Sequence, residues 1–273
     1  MRQKMSKIHP TALVDKRAEL AENVEIGPNV YIGPKVFIDE GTIIKANTYI
    51  ESNTKIGKNN QIGPFAVIGT PPQHLSYKGE DTYVEIGDNN IIREFVTIHR
   101  GTLLDEGITR IGNNNLLMSY VHIAHDCKVG NFVIMSNNAT LGGHVRVYDR
   151  VVMGGFAAVH QFCRIGSFAF VAGMSGVAKD VPPFVKVFGI PAKIQGLNLV
   201  GLKRAGFSKE EIRKISQALG IFLDGPATLS EVIHELKDIF GEEAWVKIFI
   251  NFLENPSRQG IMRRRVSEGE NGG

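Results

Sequence analysis

The chain has 273 residues, 43% of them hydrophobic and 22% charged, and a formal net charge of +3. That length can bury a sizeable core, and so mild a basicity does not by itself indicate nucleic acid as a partner. There is no run of about eighteen apolar residues, as a transmembrane helix would need, and Met1–Ser6 leads into no apolar signal core, so a cytoplasmic protein is expected.

Every sixth residue from Ile8 is aliphatic: Ile8, Val14, Leu20, Ile26, Ile32, Ile38, Ile44, Ile50, Ile56, Ile62 and Ile68. The register resumes at Ile86, Ile92 and Ile98 and slips by one residue across 99–110. It then runs from Ile111 through Leu117, Ile123, Val129, Met135, Leu141, Val147, Met153, Val159, Ile165 and Val171 to Val177. A period of six matches neither an amphipathic helix nor a sustained alternating strand. It fits short strands joined by turns, one aliphatic residue of each pointing inward, in a solenoid whose units bury their apolar side only against their neighbours. Glycine often follows the aliphatic residue, as at Gly27, Gly33, Gly57, Gly63, Gly87, Gly112, Gly130 and Gly166. Gly and Asn are expected to supply the positive φ of the turns.

Two stretches break the pattern. Residues 69–85 lack the aliphatic residue at 74 and 80 while Ile68 and Ile86 stay eighteen apart, so a loop should project there with the register kept. Residues 100–110 add one residue and should form a second excursion. Loops on a rigid frame often carry binding residues. Pro182 and Pro183 lack N–H donors and should end the ladder, which places the solenoid in 1–195. From 196 the period becomes helical. Ser208 and Glu211 form a capping box before Ile212, Ile215 and Leu219, and Thr228 and Glu231 form another before Val232, Leu236 and Ile239. A third helix is expected over 242–253. A helical domain therefore spans 196–265, and 266–273 reads as a disordered tail.

The repeat over 8–182 resembles that of the hexapeptide acyltransferases, and Gly189–Lys193 resembles their closing segment. The resemblance implies a mainly β fold, a left-handed parallel β-helix followed by a small α-helical domain. It also implies three hexads to a coil of eighteen residues, so that residues eighteen apart stack one strand spacing apart, about 4.8 Å. On that map His125 lies over Gly143, with His144 beside it, and His160 lies over Gly142. His122, His125, His144 and His160 then share one column. Cys127 and Cys163 fall two coils apart, about 9–10 Å, too far for a disulfide.

Such a column suits either a zinc site or general-base catalysis. His122 and His125, with Asp126 adjacent, do not match the spacing of the three-histidine zinc sites in carbonic-anhydrase-like relatives of this fold, so no metal and no cofactor is expected. A covalent route through Cys127 is weak, because a lone cysteine here reads as a small buried apolar residue. His125 is the candidate base and Asp126 is placed to hold it. Gly143 can present a bare backbone N–H to a developing oxyanion.

Six motifs, in order along the chain, narrow the resemblance to the UDP-N-acetylglucosamine O-acyltransferases of lipid A synthesis: Ile98–Gly101, His122–Cys127, Asn138–His144, Ala158–Cys163, Gly176–Pro183 and Gly201–Phe207. That family resemblance implies a homotrimer with sites between subunits. It implies acyl carrier protein as donor of a 3-hydroxyacyl group and UDP-N-acetylglucosamine as acceptor at its 3-position. It gives His125, Asp126 and Gly143 the catalytic roles above. His99, His122, His144, His160 and Gln161 would bind sugar, phosphate or the acyl hydroxyl, and Gln73, Asn198 and Arg204 would contact nucleotide or acyl group. Gly173 matches a position that limits acyl length, and a glycine there leaves room for a longer chain. Arg146, Arg150, Arg164, Lys179, Lys186 and Lys193 are candidates to receive the acidic carrier.

The chain departs from the family at His74 and Ser76, where better-known members carry Asp and Lys, and at Val200 and Ala205, where they carry Glu and Arg. The choice between a 3-hydroxyl and a 3-amino sugar could turn on that loop; the hydroxyl is expected. A sibling N-acyltransferase would carry a separate N-terminal uridine-binding domain, whereas the repeat here begins at Ile8. A coenzyme A-dependent acetyltransferase would not need the helical domain and the two loops. A non-enzymatic β-helix would have no use for His125.

Overall fold

The computed structural model describes residues 6–225, 228–241 and 243–263. Strands of two to four residues follow one another from Lys7 to Val177 and stack in three parallel sheets of eleven, nine and eight strands, the first completed by a C-terminal hairpin. Ile8 pairs with Ile26, Ile26 with Ile44 and Ile44 with Ile62. The hexad residues point into the prism, and Ile32, Ile38, Ile44, Ile50, Ile56, Ile62 and Ile68 are all fully buried. Each coil thus completes its core only against the next. Together with the helices at one end, this is a left-handed parallel β-helix with a small helical C-terminal region.

The turns correct one expectation. Of the glycines that follow a hexad aliphatic residue, Gly63 and Gly69 have positive φ, but Gly27, Gly33, Gly57, Gly87, Gly112, Gly130 and Gly166 do not. Most are needed because the neighbouring coil passes too close: a Cβ on Gly87 would lie 2.8 Å from the Gly112 carbonyl oxygen. Positive φ is carried instead by a corner residue three past the aliphatic one. There Asn29, Asn47, Asn59 and Asn89 alternate with Phe65, Phe95, Tyr120 and Phe162. A left-handed conformation costs a non-glycine residue about 1–2 kcal/mol. At the aromatic corners, ring stacking offsets part of it, as in Phe65–Phe95 at 5.2 Å and Phe95–Tyr120 at 4.8 Å.

The position just before each corner has its own rule. Its carbonyl can accept from the next coil, as Pro28 O does from Asn47 N–H and Pro34 O from Asn53 N–H, but its N–H takes no part in the backbone ladder. Pro10, Pro28, Pro34 and Pro64 occupy it without loss. Pro183 does the same, so the prolines at 182–183 do not stop the ladder. Val181 bridges to Ile165, and Lys186 and Val187 pair in parallel with Phe170 and Val171. Val185–Gly189 then folds back antiparallel on Ala192–Leu197.

The first loop also differs from its expected register. Ile86 pairs with Ile56, and Ile98 with Ile68, so this coil takes thirty residues and not eighteen. The equal interval between Ile68 and Ile86 is therefore not a stacking interval. The next coil, carrying residues 100–107, takes twenty-five.

Among the described residues four helices follow: α1 (Leu199–Arg204), α2 (Lys209–Asp224), α3 (Leu229–Phe240) and α4 (Ala244–Glu254). Both capping boxes are formed, at Ser208–Glu211 and Thr228–Glu231. Helix α1 was not expected; Asn198 caps it by accepting from the Gly201 N–H. Glu242 and the expected tail at 266–273 lie outside the described residues. Buried Ile215, Leu219, Phe222, Leu236, Trp245 and Phe249 join the helices, and Phe249 reaches Phe184 of the last coil with ring centroids 6.3 Å apart. Asp180, fully buried, accepts from Arg164 Nε at 2.8 Å and from the N–H and hydroxyl of Ser257, which pins the segment after α4 to the solenoid. Arg164 is consumed by this clamp and is not a surface cation for a carrier protein.

Candidate active site

His125 and Asp126 sit at one corner of the solenoid, where Asp126 takes the left-handed conformation (φ 62°). The turn brings the two side chains together, and His125 Nδ1 lies 2.8 Å from Asp126 Oδ2. The carboxylate is almost wholly buried, at 1% exposure, and needs partners to stay ionised. The second loop supplies them. Thr102 N–H donates to Oδ1 at 2.8 Å and the Thr102 hydroxyl to Oδ2 at 2.7 Å. Thr109 Oγ1 accepts from the Asp126 N–H at 2.8 Å. Burial opposes ionisation of Asp126, but the hydrogen bonds from His125 and Thr102, with the nearby His144, outweigh it and hold the carboxyl below its usual range. An ionised carboxylate can only accept, so His125 carries its proton on Nδ1 and turns the Nε2 lone pair outward.

Gly143 lies one coil on, against the face of that ring. A Cβ there would come within 2.6 Å of His125 Cε1, so a side chain would force the ring to move. Gly143 occupies the position before the corner, where prolines stand elsewhere. Its carbonyl accepts from Phe162 N–H, while its own N–H donates to no group among the described residues.

His144 does not stack on His125. It stacks on Asp126, one corner residue above another, with its ring edge against His125 at 5.1 Å and its face on Phe162 at 4.4 Å. Its Nε2 is 3.7 Å from Asp126 Oδ2 and its Nδ1 is 3.5 Å from Asp105 Oδ2. Burial lowers its pKa in spite of both carboxylates. His122 hydrogen-bonds Thr97 Oγ1 at 2.7 Å, and burial, with His99 and His125 nearby, pushes its pKa down to about 4. His99 meets His122 edge-on at 5.3 Å and contacts the Pro71 carbonyl at 2.8 Å. From the first loop, His74 meets His125 edge-on at 5.2 Å, its Nδ1 held by Ser76 Oγ at 2.8 Å.

The other expected site residues lie on later coils, on the first loop and at the start of the helical region. His160 and Gln161 are exposed on the next coil, and His160 Nδ1 is 3.4 Å from Gln259 Nε2. Gln73 is exposed on the first loop beside His74. Gly173 packs on Gly155 and Arg204 ends α1. Asn198 caps that helix and donates to the Phe168 carbonyl at 2.9 Å. Thr102, Thr109 and Asp105 are contacts that sequence reasoning missed; the slipped hexad at 99–110 was the only signal of them.

Cys127 is buried, donates to the Gly142 carbonyl, and has its thiol pushed up to about 12 by burial, so it is no nucleophile near neutrality. Cys163 is likewise buried and free. His125, Asp126 and His144 bring three donor atoms within 4.8 Å of one another and could hold a cation. A metal there would compete with Thr102 and the His125 N–H for the same carboxylate oxygens.

The hexad solenoid, with a carboxylate-held imidazole packed against a glycine, has the fold of the hexapeptide transferase class. Residues 35–70 and 108–143 match the bacterial transferase hexapeptide family, and residues 180–262 match the second domain of UDP-N-acetylglucosamine O-acyltransferase. The chain is 48% identical over 95% of its length to the whole acyl-acyl-carrier-protein–UDP-N-acetylglucosamine O-acyltransferase of Thermodesulfovibrio yellowstonii. It is 54% identical to that of a Sulfurihydrogenibium species over 93% of this chain and 94% of the other. Among solved structures, UDP-N-acetylglucosamine O-acyltransferase from Moraxella catarrhalis superposes with a TM-score of 0.90 at 44% identity, covering 94% of this chain and 99% of that one. The Francisella novicida UDP-N-acetylglucosamine acyltransferase gives 0.90 at 41% identity, with 94% of each chain covered. The chain belongs to the UDP-N-acetylglucosamine O-acyltransferase family.

Proposed function

We propose that this chain transfers a 3-hydroxyacyl group from acyl carrier protein to the 3-hydroxyl of UDP-N-acetylglucosamine, the first step of lipid A synthesis, with His125 as general base. The observation that carries the mechanism is the pairing of His125 Nδ1 with buried Asp126 while the ring lies over Gly143. Nε2 takes the proton of the sugar hydroxyl as its oxygen attacks the thioester carbon. The Gly143 N–H donates to the oxyanion of the tetrahedral adduct. Collapse breaks the C–S bond, and the imidazolium returns its proton to the departing thiolate, leaving an ester and a free carrier thiol. Asp126 steadies the imidazolium between the two transfers. His122 is uncharged at neutral pH and serves as a hydrogen-bonding group, not a second cation.

His160, Gln161, Gly173, Asn198 and Arg204 lie on later coils and at the start of the helical region. In this reading they belong to substrate contacts completed by a neighbouring copy in a homotrimer. Exposed Arg146, Arg150, Lys179 and Lys186, with Lys193, receive the acidic carrier. In this reading the reaction takes place in the cytoplasm, where its two substrates meet; separately, no helix among the described residues is long and apolar enough to cross a membrane.

The test is an assay of purified protein with 3-hydroxyacyl carrier protein, offering UDP-N-acetylglucosamine and its 3-amino analogue in competition. Predominant ester product supports the proposal. Predominant amide would shift the acceptor to the amino sugar, and no product from folded protein would remove the reading altogether. Donors of graded length in the same assay read out the room left by Gly173.

A further inference from the structure

We infer that a cavity beside His144 is a phosphate-binding subsite built on Arg258 and Arg146. The inference rests on the acyl-transfer reading only for which substrate supplies the phosphate. The cavity, about 330 Å³, opens between Leu104 and Asp105 of the second loop and the segment Asn255–Arg258, with His144 and Phe162 on its floor.

Arg258 stands over the Phe162 ring, its guanidinium carbon 3.1 Å from the centroid. Phe162 stacks on His144, and His144 meets His125, so Arg258 stands three ring contacts from the base. A guanidinium drawn to a ring by cation–π attraction spends no hydrogen-bond donor on a carboxylate, and its fork of N–H groups suits phosphate oxygens. Its neighbour Ser257 is fixed by Asp180, so little ordering remains to be done on binding. Arg164, which also borders the cavity, is neutralised by Asp180 at 2.8 Å. Arg258 and Arg146 have no carboxylate partner among the described residues. Asp105 is the one carboxylate lining the cavity, and it faces His144 at 3.5 Å.

Both substrates of the proposed reaction carry phosphate. The nucleotide sugar has its diphosphate one pyranose ring away from the acceptor hydroxyl. The carrier protein has a phosphodiester at the far end of its thiol-bearing arm. Each is within reach of a subsite so close to His125.

The experiment compares Arg258→Ala, Arg258→Lys and the Arg146→Ala/Arg258→Ala double variant with wild type, measuring kcat and the KM of each substrate. Loss of charged hydrogen bonds to phosphate should raise one KM by about tenfold or more in the double variant, with kcat little changed and lysine recovering part of the loss. A rise for UDP-N-acetylglucosamine, with weaker calorimetric binding of UDP, assigns the subsite to the diphosphate; a rise for the acylated carrier alone that Arg258→Ala shows by itself assigns it to the phosphodiester, whereas a rise confined to loss of Arg146 reports carrier docking and counts against the subsite. UDP binding is also measured in the His125→Ala background, where it needs no catalysis, so failure of the general-base mechanism would not be mistaken for failure of the subsite. If both KM values and UDP binding in the folded double variant stay within about twofold of wild type, well below the cost of one charged hydrogen bond, the subsite does not exist.

Discussion

Asp126 Oδ2 stands 2.8 Å from His125 Nδ1 and 2.7 Å from the Thr102 hydroxyl, so the coil supplies the pair and the second loop holds it. The imidazole is oriented from behind by a group that is itself fixed from behind. Asp126→Asn should keep the shape but can offer an N–H to Nδ1, turning the tautomer so that Nε2 carries the proton. Its kcat should fall by about 10²-fold or more, with KM values little affected. Steady-state kinetics on the folded variant checks this.

Asp126 also makes a signed contribution to stability. Its folded-state pKa lies below the ordinary value. The contribution is fully present above the unfolded carboxyl pKa and is lost as pH falls through the lower folded value. Thermal unfolding of wild type and Asp126→Asn should therefore diverge near neutrality and converge under acid conditions. Parallel curves would contradict this.

Thr102→Val removes the hydroxyl donor but leaves the backbone N–H to Asp126. A buried carboxylate short of one hydrogen bond should cost about 1–3 kcal/mol of stability. The looser imidazole should lower kcat by about tenfold. Chemical denaturation and kinetics measure the two effects separately. Unchanged kcat would mean that Asp126 is held well enough without the loop.

Gly143→Ala places a methyl group where His125 Cε1 now lies 2.6 Å away. The backbone at Gly143 is not left-handed, so the fold should survive. The ring must tilt off the glycine N–H, and kcat should fall by about 10²–10³-fold, as expected when an oxyanion donor is misplaced. Retained kcat with intact circular dichroism would count against that role for Gly143.

His122 is depressed to about 4 from 6.5, first by burial. Between those values the unfolded chain binds more protons at this site than the folded one. Stability should thus fall as pH drops from 6.5 towards 4 on account of this residue. His122→Gln should flatten that part of the melting temperature profile; an identical slope would show that other groups cause it.

The solenoid was legible because each hexad carries one inward aliphatic residue, and that constraint is both local and repeated. Stacking by eighteen worked wherever the period ran unbroken, which is why His125 could be laid against Gly143. It failed where loops left the coil: Ile68 and Ile86 kept the interval yet lie on different faces. Thr102 and Thr109 were invisible for the same reason, since nothing periodic governs where the second loop folds. His144 obeys the same interval, since it lies eighteen past Asp126 and stacks on it. The capping boxes were readable because they are contained within four residues. Helix α1, six residues held by Asn198, has too little pattern of its own.

The most direct test of the mechanism is the kcat of His125→Ala with 3-hydroxyacyl carrier protein and UDP-N-acetylglucosamine, on protein shown to be folded. Loss of a positioned general base should reduce it by about 10²–10⁴-fold, with UDP still bound. A kcat within a few fold of wild type would contradict general-base catalysis by His125.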